Sequence, residues 1–514
     1  MRDARRALGL TVQADDRRRS LVVGGPALLL SGGWRSSLAR RGPIFSLGVA
    51  SGQPRPDRVV LWTRLMGESL PDEVLVHWEL AFDEQFRQIA ARGDELAVTQ
   101  WAHSVHAEPA GLTPDRWYWY RFTALGERSA VGRTRTAPLP QQRGPLAFAI
   151  ASCQRFDTGF YAAWKAVARE PLDLVIFLGD YIYEYPTRED AVRPVPGGLV
   201  STLAQYRDRY ATHKSDSALQ AAHAAVPWLM IWDDHEVDND YAAVQGAKLQ
   251  PNFKAQRAAA YQAWWEHMPL PKSARPIGPD LRMFGHLDWG ALARIHLLDS
   301  RQYRDPQVCP RPDMGGSNVV TRSGCPALFN PERSLLGAQQ ERWLAANWTT
   351  DRPWNLLAQS TLMARMGWND PREGPFWTDG WDGYPLARKR LLRTIERRRV
   401  PGVVVLGGDV HAHYVADLRS DFDDPGSSIV ATEFCGTSIS SPGIAQSRID
   451  AALKFNPHIH HARSDHRGYT VFDVDQNRLR ARLMTVADVR DAHSEVSTDA
   501  YYVVLARNPG AVRG

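Results

Sequence analysis

Short apolar runs recur through the middle of this chain, and each ends at a glycine or a charged residue. The three clearest are residues 174–178, 228–232 and 403–406. Runs of this length without polar alternation are typical of strands buried on both faces of a helix-covered sheet. Residues 291–298 and 354–358 have the same character and predict further strands of the same core.

Helical patterns lie between these strands, at residues 160–170, 257–267 and 386–399. A repeated order of strand, turn and helix is typical of a layered α/β domain. We expect this domain to cover residues 145–505.

Residues 44–138 show a different pattern. Segments at 59–62, 74–78 and 116–122 are short and alternate in polarity, and turns separate them. Such spacing predicts a β-sandwich of the fibronectin type III or immunoglobulin kind. The proline-rich residues 136–140 would then link the sandwich to the α/β domain.

Length and composition agree with two or more globular domains. The chain has 514 residues, of which 44% are hydrophobic and 23% charged, which argues against wholesale disorder. The formal net charge of +5 is mild for this size. Part of the excess positive charge is local, at residues 17–19 and at residues 397–399. The arginines at 397–399 would complement the C-terminus of a helix. We therefore expect no nucleic-acid-specific binding.

The amino terminus resembles a twin-arginine export signal. Arg17, Arg18 and Arg19 precede a short, weakly hydrophobic segment at residues 22–30, which is too short to span a bilayer. Residues 1–43 are thus predicted to be a signal and leader that engages the twin-arginine translocon. The protein would be periplasmic or secreted, without stable membrane insertion. The alternative is a disordered basic tail.

The chain has four cysteines, and their sequence contexts predict different roles. Cys309 and Cys325 share one loop rich in proline, glycine and serine, and they could close a disulfide at an oxidising destination. Two free thiols are the alternative. A cysteine in the sequence context of Cys435 is more often a thiol packed in the core than a ligand. Cys153 is therefore the cysteine that we expect to take part in the chemistry of a site.

Side chains suited to metal binding follow the predicted strands in four places. They are Cys153, Asp180 with Tyr183, Asp234 with His235, and Asp409 with His411. Strands that end in ligands deliver them to one edge of a sheet, so ligands far apart in sequence can converge on one pair of ions.

The ligand types predict two unlike metals. Asp180 could bridge both ions, and the phenol of Tyr183 favours Fe(III) over Zn(II). Cys153 and His411 would complete this first site. The second site would consist of the carboxylates Asp180, Asp234 and Asp409, a set that favours Ca(II), Mg(II) or Mn(II). Asn239, a few residues further on, is a candidate for an extra ligand.

Two metals that share a carboxylate suit phosphoester hydrolysis. One ion can lower the pKa of a bound water to give hydroxide, and both neutralise charge on the phosphoryl group. His235, next to the ligand Asp234, could protonate the leaving oxygen. Alternatively, His235 only holds Asp234 in place. Asp234 and His235 are therefore the candidate catalytic residues.

Five segments together resemble the PhoD-type alkaline phosphatase and phosphodiesterase family, whose relatives are the calcineurin-like and purple acid metallophosphoesterases. The segments are residues 151–154, 177–184, 232–239, 298–303 and 408–411. The resemblance implies a metallophosphoesterase-like α/β domain behind the β-sandwich. It also implies Fe(III) held by Cys153, Asp180, Tyr183 and His411, with Ca(II) held by Asp180, Asp234 and Asp409.

The function predicted from these observations is an exported, metal-dependent phosphoesterase that hydrolyses phosphate mono- and diesters by a metal-activated hydroxide. Its substrates would be small-molecule or polymer phosphate esters. Two alternatives remain: a phospholipase D-like diesterase, and a catalytically silent module that binds cell wall or polymer. The tryptophan-rich loop at residues 367–383 could cover the site or stack on an aromatic ester, or it could be a plain packed loop.

Overall fold

The computed structural model describes residues 42–514. The predicted signal and leader therefore lie outside the described residues, apart from Gly42 and Pro43. Within the described part, the chain forms 24 strands and seven α-helices. None of the described helices is both long and apolar enough to cross a bilayer.

The strands are β1 (Val49–Gly52), β2 (Val60–Arg64), β3 (Glu73–Ala81), β4 (Ile89–Val98), β5 (Ser104–Ala107), β6 (Trp117–Ala124), β7 (Glu127–Arg128), β8 (Gly132–Arg135), β9 (Leu146–Ala151), β10 (Leu174–Phe177), β11 (Trp228–Met230), β12 (Gly285–Trp289), β13 (Ala293–Leu297), β14 (Val319–Val320), β15 (Trp354–Ala358), β16 (Phe376–Trp377), β17 (Val403–Gly407), β18 (His413–Arg419), β19 (Ile429–Cys435), β20 (Ile459–Arg463), β21 (Arg467–Val474), β22 (Arg478–Val486), β23 (Val496–Leu505) and β24 (Asn508–Arg513). The helices are α1 (Ala162–Val167), α2 (Leu203–Lys214), α3 (Ser217–Ala225), α4 (Phe253–His267), α5 (Gly337–Asn347), α6 (Pro385–Arg398) and α7 (Gln446–Leu453).

The amino-terminal part of the described chain is a β-sandwich. One sheet has the order β4-β3-β6-β7, with β8 also paired to β6. Alternate residues of β3 and β6 are buried, because every second side chain of a strand points to the same face. These side chains, among them Val76 and Tyr120, share one core with Val49, Leu61 and Val105 of β1, β2 and β5.

The sandwich is continuous with the sheet behind it. Strand β1 pairs in parallel with β11, through Gly52 opposite Trp228. A Cβ atom on Gly52 would lie 2.5 Å from the carbonyl oxygen of Pro269 and 2.7 Å from that of Trp228. Only glycine fits such a close approach of backbones. The sandwich and the α/β domain thus share a ten-stranded sheet, in the order β24-β23-β22-β21-β9-β10-β11-β1-β2-β5.

A second sheet lies against the first in the α/β domain. It has seven strands in the order β12-β13-β15-β17-β19-β18-β20. Apolar side chains from both sheets form one cluster; for example, the rings of Phe434 in β19 and Phe472 in β21 have centroids 5.3 Å apart. The sequence predicts one core sheet for all the apolar runs. The structure divides them between two, because an apolar run indicates burial on both faces but does not select the neighbouring strand.

Helices cover the outer faces of the two sheets. Trp164, Tyr206, Leu219 and Trp264, from α1 to α4, belong to the cluster that includes the ten-stranded sheet. Leu344, Leu392 and Ile449, from α5, α6 and α7, pack on the seven-stranded sheet. The fold class is therefore α/β, with an amino-terminal β-sandwich. The predicted helix at residues 160–170 is shorter than expected, and the one at 257–267 begins four residues earlier.

A disulfide closes the loop between β13 and α5. It joins Cys309 to Cys325, with Cα atoms 6.2 Å apart. Of the two alternatives predicted from the sequence, a disulfide or two free thiols, the structure has the disulfide. Cys153 and Cys435 are free and buried.

Candidate metal centre

The predicted ligands follow strands of both sheets. Cys153 comes after β9, Asp180 after β10 and Asp234 after β11, all in the ten-stranded sheet, whereas Asp409 and His411 come after β17 in the seven-stranded sheet. Strands β9, β10 and β11 run parallel to one another, and β17 runs parallel to β15 and β19, so in each sheet the ligands follow carboxyl ends that lie at one edge. The centre therefore forms between the two sheets.

Unusual backbone conformations turn the ligands inward. Cys153, Asp180, Asp409 and His411 have φ angles of 58°, 59°, 66° and 53°. Residues other than glycine seldom adopt this left-handed region, and such positions tend to occur at functional sites. Gly179, with φ 108°, makes room for the turn before Asp180, because a Cβ atom there would lie 2.6 Å from Asp233.

Cys153, Asp180 and His411 come together as the sequence predicts. Each offers a ligand atom, and the three atoms lie within 4.8 Å of one another. The hydroxyl of Tyr183 lies 2.9 Å from Asp180 Oδ2 and 3.2 Å from His411 Nε2. It also accepts a hydrogen bond from Ser441. The four side chains thus form one compact set of sulfur, oxygen and nitrogen donors.

The hydrogen bonds of His411 leave one ring nitrogen available. Its Nδ1 donates to the carbonyl oxygen of Pro442 at 2.8 Å, so the lone pair of Nε2 points toward Tyr183 and the other donors. Burial lowers the pKa of His411 to about 3. The imidazole is therefore neutral, which is the form that binds metals.

A second group contains Asp180, Asp234 and His235, again with ligand atoms within 4.8 Å of one another. Asp234 is fixed by backbone N–H donors from His235 at 3.0 Å and from Asp240 at 2.7 Å. A third group contains Asp234, Asp240 and Asp379. Asp409 belongs to none of these three groups, and its Oδ2 accepts a hydrogen bond from Thr361 at 2.6 Å.

The buried acidic side chains of this centre favour the binding of a cation. Burial, with the charges of neighbouring acids, raises the pKa of Asp180, Asp409 and Cys153 well above their ordinary values. Burial likewise raises the pKa of Tyr183, with a further contribution from Asp180. Asp180 Oδ1 is buried and has no hydrogen-bond donor among the described residues. A bound metal ion would satisfy this oxygen and stabilise the charged forms, so the residues present fit metal ions.

His235 is held on one side of the centre. Its Nδ1 lies 2.7 Å from Glu184 Oε2, and its ring packs on that of Tyr183 with centroids 4.1 Å apart. Burial lowers the pKa of His235, but Glu184, Asp180 and Asp234 together raise it well above its ordinary value. The Glu184 contact thus favours the protonated form of His235, which can donate a proton.

Asn239, the candidate extra ligand, is half-buried. Its backbone N–H donates to Glu184 Oε1 at 2.9 Å. Among the described residues, no hydrogen bond of its side chain is present, so its role as a ligand stays a prediction.

A buried ion-pair network supports the centre, and sequence reasoning did not assign it a role. The guanidinium of Arg301, with 0% side-chain exposure, pairs with Asp233, with Asp379 at 2.8 Å and with Asp234 at 3.5 Å. Burial raises the pKa of Asp234, but Arg301 and His235 outweigh it and lower this pKa below its usual range. Arg301 lies within residues 298–303, one of the segments that resemble the PhoD-type family. This resemblance is the feature of the sequence that could have indicated a role for Arg301.

Glu236 is a second unassigned support. Its carboxylate accepts backbone N–H groups from Asp180 at 3.1 Å, Tyr181 at 2.6 Å and Asp233 at 2.8 Å. It therefore joins the turn after β10 to the turn after β11. This contact sets the distance between Asp180 and Asp234.

Comparison with known proteins decides the family. Residues 148–483 match the model of the PhoD-like phosphatase, and residues 33–138 match the model of the PhoD-like phosphatase, N-terminal domain. The chain belongs to the PhoD-like phosphatase family. It is 43% identical to alkaline phosphatase D of Bacillus subtilis (strain 168) over 477 residues, covering 89% of this chain and 80% of that protein.

Solved structures agree with this assignment. A structure of PhoD superposes with a TM-score of 0.86 at 42% identity, covering 91% of this chain and 92% of the other. The purple acid phosphatase PPD1 from yellow lupin (Lupinus luteus) seeds gives 0.54 at 12% identity, covering 89% and 74%, and so shares the fold.

This PhoD-like protein is a phosphoesterase, a phosphoric ester hydrolase, and its described residues include groups that could hold metal ions. The matches do not favour a phospholipase D-like diesterase or a catalytically silent binding module.

Proposed function

We propose that this phosphoesterase hydrolyses both mono- and diesters of phosphate at a mixed iron and calcium centre. Fe(III) would be held by Cys153, Asp180, Tyr183 and His411, and Ca(II) by Asp180, Asp234 and Asp409. The observation that carries the proposal is the convergence of Cys153, Asp180 and His411 within 4.8 Å, with the Tyr183 hydroxyl against two of them.

The choice of metals follows from the donor atoms. A phenol and a thiol beside a carboxylate and an imidazole suit a highly charged, redox-active ion, and the phenol favours iron over zinc. Three carboxylates offer only oxygen, which suits Ca(II), although Mg(II) or Mn(II) would be accepted by the same set. Asn239 would add an oxygen ligand to this second site.

The bound ions would supply an activated water and positive charge for the phosphoryl group. In the reaction, a bond forms between phosphorus and the water oxygen, and the bond to the leaving oxygen breaks. His235, whose protonated form is favoured by Glu184 at 2.7 Å, would give a proton to that leaving oxygen. Asp234 would position both the second metal and His235, whose backbone N–H it accepts at 3.0 Å.

Export through the twin-arginine translocon is part of the proposal. Its support is the paired arginines and short apolar segment of residues 1–43, together with the disulfide between Cys309 and Cys325, since disulfides persist in oxidising compartments. The substrates would be small-molecule or polymer phosphate esters.

Metal analysis and hydrolysis assays test this function together. The purified protein, loaded with iron and calcium, is assayed on p-nitrophenyl phosphate and bis-p-nitrophenyl phosphate with and without a calcium chelator. We expect turnover of both esters, loss of turnover with the chelator, and a visible absorption band from tyrosinate bound to iron. A colourless, metal-loaded protein without turnover would instead support the binding module.

A pair of cysteine variants sharpens the test. Cys153→Ser should reduce bound iron to less than half, because the thiolate ligand is lost. Cys435→Ser is the matched control: this thiol is also free and buried, and it contacts the carbonyl oxygen of Gly408 at 3.2 Å rather than the ligand set. Equal iron in both variants would remove Cys153 from the iron site.

A further inference from the structure

A cavity of about 620 Å³ opens beside the metal centre. Asp409 and His411 contribute to its lining, so it is continuous with the proposed ligands. Its volume lies within the range of about 300 to 1,000 Å³ that small-molecule sites occupy. None of the roles assigned above makes use of this space.

The cavity walls are mostly apolar and aromatic. They include Met366, Trp368, Trp377, Tyr414, Ile444 and Arg448. Two half-buried tryptophans, Trp368 and Trp377, present part of their rings to the space. The guanidinium of Arg448 lies 5.3 Å from the ring centroid of Trp368 at the rim.

Trp377 is held in place from two sides. It belongs to β16, which pairs with Val319 and Val320 of β14, a strand inside the loop that the disulfide closes. Its ring also packs over Gly380, where a Cβ atom would lie 3.2 Å from the ring. The wall is therefore preorganised, which lowers the entropic cost of binding a flat ligand group.

The position of His235 decides which part of a substrate enters the cavity. His235 lies against Tyr183, Tyr185 and Glu184, and none of these four residues is in the cavity lining. The leaving oxygen must be within reach of His235 if this residue protonates it. The substituent that stays on phosphorus is then free to extend toward Asp409 and His411.

We propose that this cavity binds the retained organic substituent of a phosphodiester, and that the preferred substituent is aromatic or similarly apolar. The inference rests on the proposed function and deepens it by naming a substrate class. Trp377 is the specificity-determining residue, because a retained ring can stack on it.

Three esters with one leaving group test the proposal on the metal-loaded enzyme. They are p-nitrophenyl phosphate, methyl p-nitrophenyl phosphate and phenyl p-nitrophenyl phosphate. Because release of p-nitrophenol is common to all three, differences between the two diesters report on the retained group. We expect kcat/KM for the phenyl diester to exceed that for the methyl diester by about 10- to 100-fold, as burial of a ring allows.

Trp377→Ala should reduce the ratio of kcat/KM for the phenyl diester to kcat/KM for the methyl diester at least about fivefold, because the retained ring loses its stacking partner. Trp348→Ala is the matched control, since Trp348 is also half-buried but is not in the cavity lining, and it should keep the preference. Ile444→Asp provides a second variant: Ile444 is 38% exposed, so the change leaves the core intact and should also lower the preference for phenyl.

The outcomes separate two kinds of failure. Absence of turnover on all three esters would refute the proposed function itself. Turnover without a preference for phenyl over methyl would overturn the cavity assignment and leave the function standing. An equal loss on all three esters in both Trp377→Ala and Ile444→Asp would also overturn it, because the wall would then support the metal centre rather than a substituent.

Discussion

Glu184 Oε2 lies 2.7 Å from His235 Nδ1, and the other oxygen of Glu184 accepts the backbone N–H of Asn239 at 2.9 Å. Glu184 is 1% exposed, so water does not compete for either contact. One carboxylate therefore orients the proposed acid and anchors the turn that carries it. His235 presents Nε2 toward the centre because Nδ1 is occupied.

Glu184→Gln should lower kcat while leaving KM nearly unchanged. The amide keeps the size of the side chain but loses the negative charge that orients His235 and favours its protonated form. We expect kcat for p-nitrophenyl phosphate to fall about 10- to 100-fold, as for other residues that orient an active histidine. Glu341→Gln, at the half-buried partner of Arg390, is the control and should keep wild-type kcat. An unaltered kcat in Glu184→Gln would show that this contact does not serve catalysis.

Tyr183→Phe should abolish the visible absorption band of the iron-loaded protein. The change removes only the hydroxyl that contacts Asp180 and His411, and that oxygen is the proposed source of charge transfer to iron. Tyr181→Phe is a matched control, because this neighbouring buried hydroxyl instead contacts His223 at 2.8 Å. Spectra of the two variants at equal iron content decide the point. A band that survives in Tyr183→Phe would assign it to another ligand.

Local patterns in the sequence were enough to predict most of the core strands and the positions of candidate ligands at their ends. Asp180 and Asp409 each follow an apolar run that is a strand in the structure, so their place at a sheet edge depends on neighbouring residues alone. The pairing of strands was not predictable in this way. Strand β1 of the sandwich joins β11 through residues 176 positions apart, and no local pattern contains such a contact.

The supporting network was missed for the same reason. Arg301 reaches Asp233 across 68 positions and Asp379 across 78. An arginine that follows an apolar run is ordinarily predicted to lie in solvent at the end of a strand. Its burial becomes evident only when the three carboxylates around it are seen together.

Arg301→Met should destabilise the protein strongly. It would leave the buried carboxylates of Asp233, Asp234 and Asp379 without their shared counter-charge, a loss of about 3 to 5 kcal/mol in the free energy of unfolding. Arg301→Lys keeps the charge but loses the planar fork, so we expect an intermediate loss. Urea unfolding followed by circular dichroism measures both.

The control for this comparison is Arg390→Met. Arg390 is 39% exposed and pairs with Glu341, and exposed pairs contribute about 1 kcal/mol or less. If Arg301→Met and Arg390→Met had equal unfolding midpoints, the buried network would contribute no more to the stability of the protein than the exposed ion pair does.

Lys214, which is not among the proposed ligands, gives the protein a pH-dependent stability. The residue is 1% exposed, and its ammonium lies 4.2 Å from the ring centroid of Trp62. Burial lowers the pKa of Lys214 from 10.5 to about 7. Between these two values the unfolded chain binds a proton at Lys214 that the folded chain does not bind, so the free energy of unfolding rises with pH across that window.

Lys214→Met should remove this rise. A single such group changes stability by at most about 1.4 kcal/mol per pH unit, so the variant should gain about 3 kcal/mol more over wild type at pH 7 than at pH 9.5. Urea unfolding at the two pH values measures this difference, and titration of other groups cancels in it. Lys272→Met, at a 46% exposed side chain, should show no such dependence. An equal effect of Lys214→Met at both pH values would mean that Lys214 does not change its charge across this window.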